Sequence, residues 1–65
     1  MSADRVPLAD QIACVARECD VRARVYPRWV EEGRMKPEAA ARGLAAMRAA
    51  LVTLMQVEAG EAGEP

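Results

Sequence analysis

Two thiols, Cys14 and Cys19, and the carboxylates of Asp10, Glu18, Asp20, Glu31 and Glu32 are of types that could do chemistry. On a helix a spacing of five turns two side chains roughly 140° apart, which keeps these thiols from meeting in a disulfide. With no His and only 2 Cys in the chain, no zinc ligand set forms, and the cysteines read as reduced packing residues. The hydroxyls are Ser2, Tyr26 and Thr53, and none has an imidazole to activate it as a nucleophile. Paired carboxylates do acid–base work only within a cleft that pulls their pKa values apart. Here they fall where helix charges face water. No glycine-rich phosphate loop is present. The chain is expected to be a non-enzyme that needs no cofactor and no metal.

Cations and aromatics offer recognition instead. Arg17, Arg22, Arg24, Arg28, Arg34 and Lys36 concentrate positive charge near the middle, while Glu58, Glu61 and Glu64 make the end acidic. A net charge of -1 and a pI of about 5.3 exclude a global attraction to nucleic acid or an anionic membrane, but a local basic patch remains open. The single Tyr and single Trp, Tyr26 and Trp29, stand among these cations in "VYPRWVEEGRM". With Arg24 and Arg28 they could stack bases and clamp phosphates; the competing reading is that they pack a core.

The elements that must position these groups are helices. Pro7 suits a first helical turn, with Asp4 or Asp10 supplying the favourable charge. From there Leu8, Ile12, Val15, Cys19, Arg22, Tyr26 and Trp29 recur at alternating steps of four and three, an apolar heptad seam broken only by Arg22. Pro27 interrupts the pattern locally, since an interior proline removes a bond to the carbonyl of Ala23 and costs about 3 kcal/mol. The seam keeps its phase across it, which favours one long kinked helix, from residue 7 to about 32, over two. Gly33 is the stop, where a left-handed residue closes the helix and Met35 folds back. Arg34 and Lys36 offset Glu31 and Glu32 at its negative end. Pro37 and Glu38 open a second helix, whose seam runs through Ala40, Leu44, Met47, Leu51 and Leu54. Gly43 weakens it by about 1 kcal/mol and is expected to admit close helix approach. Residues 1–57 are thus expected to form one hairpin domain, and 58–65, "EAGEAGEP", a disordered acidic tail.

At 65 residues a chain buries only about 60% of its unfolded surface and commonly needs metal, disulfides or a second copy. The fold expected is all-α, an antiparallel helical hairpin, closing its seams by assembling as a dimeric four-helix bundle or a higher oligomer. Arg22, polar within the seam, either fixes register against an acid across the interface or snorkels to the rim. A second strip, Cys14, Val21 and Val25, lies about 120° round the first helix with Arg17, Arg24 and Arg28 beside it. It is either scattered surface residues or a further interface. The turn "WVEEGRMKPEAAARG" has the outline of a helix-turn-helix, but Trp29 stands where close helix contact needs a small residue, and the second helix has few base-reading side chains.

The segment "RVYPRWVEEGRMKPEAAARGLAAMRAALVTL", preceded by "PLADQIACVARE", resembles small bacteriophage and prophage proteins in which a YPxWVxxGRM-like segment joins two amphipathic helices. Tyr26, Pro27, Trp29, Val30, Gly33, Arg34 and Met35 carry the resemblance, which spans residues 7–54. It implies a viral or prophage origin and a bacterial host, and brings no activity with it. Gly33, Met35 and Glu38 are also similar to the outline of short bacterial helical-hairpin domains that mediate oligomerisation or binding, although Lys36 replaces the usual capping Ser or Thr.

No secretory signal and no apolar run of about 18 residues is present, so the protein is expected in the cytoplasm of a bacterial host, away from the membrane. The expected function is that of an oligomeric phage accessory protein that binds a host or phage protein, including inhibition of a host defence complex. The contact residues expected are Arg17, Val21, Arg24, Val25 and Arg28. Alternatives are a nucleic-acid or nucleotide-binding regulator and a structural component of phage assembly.

Overall fold

A computed structural model describes residues 6–62. These form two antiparallel helices, Leu8–Glu31 (α1) and Pro37–Ala62 (α2), packed along their lengths into a hairpin. The all-α hairpin expected from the periodicity is what is observed.

Pro7 stands one place earlier than expected: with φ -55° and ψ 145° it is the N-cap, outside the first turn. Its carbonyl accepts from the backbone N–H groups of Asp10 and Gln11, at 3.0 and 3.1 Å. Proline has no side chain to cap with, but Gln11 Nε2 donates back to the Val6 carbonyl at 2.8 Å and fastens the entering chain. Asp10 lies in the first turn, where a carboxylate meets the positive helix end. Asp4 lies outside the described residues.

α1 passes through Pro27 without ending, so the single long helix is the form adopted. The C-terminus of α1 is a Schellman closure: Gly33 N–H donates to Val30 O at 3.1 Å and Arg34 N–H to Trp29 O at 2.8 Å. Gly33 takes φ 75°, the one left-handed residue among those described. Arg34 Nη1 reaches Glu32 Oε1 at 3.3 Å, a partial offset to the acids at the helix end. Met35 is half-buried just beyond, as a fold-back contact requires.

α2 does not stop at Val57, where its apolar periodicity gives out, but continues to Ala62. Residues 58–62, expected as the start of a disordered tail, are helical. Glu58, Ala59, Glu61 and Ala62 are good helix formers, and one Gly60 among them costs only about 1 kcal/mol. Residues 63–65 of the expected tail lie outside the described residues.

Both seams face inward. Leu8, Ile12, Val15, Arg22, Tyr26 and Trp29 on α1 are half-buried around Cys19, and Ala40, Leu44, Met47, Leu51 and Leu54 on α2 are half-buried opposite them. Cys19, 7% exposed, is the one buried residue among those described. The molecule measures 49 × 25 × 14 Å, two helices wide and close to one helix, about 10–12 Å, thick. No helix among the described residues is long and apolar enough to cross a membrane.

Candidate functional site

Helical spacing puts Glu18, Arg22 and Tyr26 one above another at successive turns of α1. Arg22 forms an ion pair with Glu18 through Nη1 and donates from Nε to the Tyr26 hydroxyl at 3.2 Å. The acid that Arg22 pairs with is therefore on its own helix, one turn before, and the expected acid across an interface is not needed. The hydrogen bond to Tyr26, then the charge and hydrogen bond of Glu18, hold the Arg22 pKa above its ordinary value, against an opposing desolvation. Tyr26 in turn lies against Gly43 of α2. One polar ladder thus fixes the ring that sets the register between the helices.

Beside this ladder Val21 and Val25 line an open groove of about 250 Å³ together with Glu18, Arg22, Tyr26 and Trp29. The two valines are half-buried, which makes the second strip of α1 a real concavity. Of the residues expected to contact a partner, the groove brings Val21 and Val25 together. Arg17, Arg24 and Arg28 are exposed and lie outside its lining; the ion pairs among the described residues are those of Arg22 and Arg34. The three exposed guanidinium groups recur at steps of seven and four, along the outward face of α1. Cys14, the remaining member of the strip, is an exposed free thiol.

The aromatic rings are held by their neighbours. Tyr26 and Trp29 sit 5.9 Å apart at 30°, and the Arg34 guanidinium lies 5.1 Å from the Trp29 ring centre, a cation–π distance. Gly43 takes the other side of Tyr26. These contacts fit the packing role, while the remaining ring surface lines the two open hollows. Glu18, Arg34 and Gly43 are the partners that the apolar pattern did not single out. Glu18 was detectable as an acid four residues before Arg22; Arg34 over Trp29 depends on the turn and had no sequence signal.

A second, wider depression of about 380 Å³ lies on the other side of the seam. Tyr26, Pro27 and Val30 of α1 line it with Pro37, Ala40, Ala41 and Leu44 of α2. Pro27 and Val30 follow Tyr26 where Val25 and Arg22 precede it, so the two hollows open on opposite faces of the hairpin. Among the described residues no group of His, Cys, Asp and Glu is placed to hold a metal ion, and no buried side-chain nitrogen or oxygen lacks a partner. What the described surface offers is two open hollows and a row of exposed guanidinium groups. Comparison with protein-family models, with curated proteins and with solved structures finds no match for the chain.

Proposed function

We propose that the chain is a non-enzymatic, self-associating hairpin that acts by binding a macromolecular partner. The observation that carries this reading is the single layer of helices. Domains gain a core by stacking two layers, whereas here one layer buries Cys19 alone among the described residues and leaves Val52 and Met55 51% exposed and Val57 46% exposed. The missing layer comes from a second copy, and the groove of Val21 and Val25 with Arg17, Arg24 and Arg28 beside it takes the partner. The likeness of residues 7–54 to phage hairpins supports a phage-encoded accessory role, with a host or phage protein as the partner and modulation of a host complex, including a defence system, as the outcome.

Light scattering and affinity capture from infected cells test the two halves separately. A species larger than one chain, with a partner that wild type retains and Val21→Asp and Val25→Asp release at unchanged oligomer size, is the expected result. Equal retention by wild type and both variants removes the groove from the reading. A second reading, nucleic-acid binding, is favoured by the three exposed arginines on one face of α1; retardation of DNA or RNA that fades steeply with salt supports it.

A further inference from the structure

We infer that the second copy covers one particular face of the hairpin, the one bearing Pro27, Val30, Ala41 and Leu44, through a two-fold axis running along the helices. This rests on the self-association proposed above and names its geometry. The wider depression places those four residues on one face. Steps of seven residues hold a helix face with a drift of only about 20°. From Val30 they pass through Ala23, Ala16 and Ala9; from Leu44 and Ala41 they reach Leu51 and, past Arg48, Met55. Away from the turn, this face is therefore small on α1, at Ala9, Ala16 and Ala23, and large on α2, at Leu51 and Met55; next to the turn the sizes reverse, with Pro27 and Val30 on α1 and Ala40 and Ala41 on α2. The opposite face carries the Glu18–Arg22 ion pair and is the more polar.

A surface of this kind is complementary to itself in one orientation. A two-fold along the helix direction lays α2 of one copy on α1 of the other, antiparallel, so that Leu51 and Met55 enter the alanine rows of the partner copy. A two-fold across the helices would instead keep Leu51 and Met55 on α2 of the partner copy, out of those rows. Charge decides the same way. Tyr26 beside Gly43 sets the level of the two helices. Asp20 lies six residues before Tyr26 and Arg48 five after Gly43, about 9 and about 7.5 Å from that level in the same direction. Both are exposed, and neither belongs to the ion pairs among the described residues. The axial two-fold preserves level and brings Asp20 of each copy to Arg48 of the other, twice per dimer. In the crosswise dimer α1 lies on α1 and α2 on α2, so Asp20 and Arg48 of different copies do not meet.

The experiment measures dimer dissociation by sedimentation equilibrium for wild type and for Met55→Asp, Asp20→Arg and Arg48→Asp, with helix content checked by circular dichroism. Met55→Asp is expected to give helical monomers. Asp20→Arg and Arg48→Asp, alone, each place two like-charge pairs in the axial dimer and are expected to weaken it roughly tenfold. Mixed in equal amounts they restore it, because every pair between an Asp20→Arg chain and an Arg48→Asp chain is then attractive. Wild-type affinity for each variant alone, or no gain on mixing, overturns the axial arrangement. Dimers lost on Val25→Asp but kept on Met55→Asp would move the interface to the other face. A wild type that is monomeric at all concentrations overturns both this inference and self-association, while partner capture would still stand by itself.

Discussion

Tyr26 closes over Gly43: its Cε2 stands 3.5 Å, and its hydroxyl oxygen 3.7 Å, from where a β-carbon on Gly43 would be. Those are ordinary van der Waals distances, so the helix approach does not demand glycine. Glycine inside a helix costs about 1 kcal/mol relative to alanine, and Gly43 carries that cost without a steric return. Gly43→Ala is therefore expected to stabilise the hairpin by roughly 1 kcal/mol and raise its melting temperature by about 4–8 °C. Thermal unfolding followed by circular dichroism checks this. A lower midpoint would mean that Tyr26 cannot accept the added methyl and that the glycine is a contact requirement.

Gly33 presents the reverse case. A β-carbon there meets nothing within 4 Å, but φ is 75°, and a left-handed backbone costs an L-residue about 1–2 kcal/mol. Gly33→Ala should lower the unfolding free energy obtained by urea titration by that amount, with Gly33→Asn losing less because asparagine tolerates the conformation. Equal losses for both substitutions would show that something other than backbone conformation is at stake.

The Glu18–Arg22–Tyr26 ladder makes a prediction about pH. Tyr26→Phe removes one half-exposed hydrogen bond, which water can replace, and should cost little stability. The bond raises the Arg22 pKa above its ordinary value, so its contribution is fully present below the unfolded value and is lost only as pH climbs through the higher folded one. The cost of Tyr26→Phe should therefore be the same at about pH 6 as at about pH 9. A penalty that changes across that interval would point to a different titrating partner.

Much of this fold is legible in the spacing of residues. The phase from Leu8 to Trp29 and from Ala40 to Leu54 fixes which faces meet, and Gly33 followed by Arg34 and Met35 marks the closure, because these are local or strictly periodic signals. What could not be read depends on contacts between segments. Pro27 stays helical in a setting where Tyr26 is held by Gly43 and Arg22. Val57 ends the apolar pattern but not the helix, since Ala and Glu continue it on propensity alone. The groove residues Val21 and Val25 were visible as an unexplained strip. The alanine row at Ala9, Ala16 and Ala23 was hidden, because Ala is everywhere in this chain and signals helix before it signals contact.

Cys14 and Cys19 provide a probe of the assembly within the native sequence. Cys14 is exposed and Cys19 is the buried centre of the α1 seam. A thiol reagent in excess should modify Cys14 at the rate of a free cysteine. Cys19 should react only when the hairpin opens, and more slowly by the factor of that opening equilibrium. If a second copy stabilises the closed hairpin, mass action makes opening rarer as the protein is concentrated. The Cys19 rate should then fall with protein concentration while the Cys14 rate stays level, and Met55→Asp should abolish the concentration dependence. Mass spectrometry of the two modified peptides over a dilution series reads both rates at once. Equal rates for the two thiols at every concentration would show that the hairpin does not stay closed around Cys19.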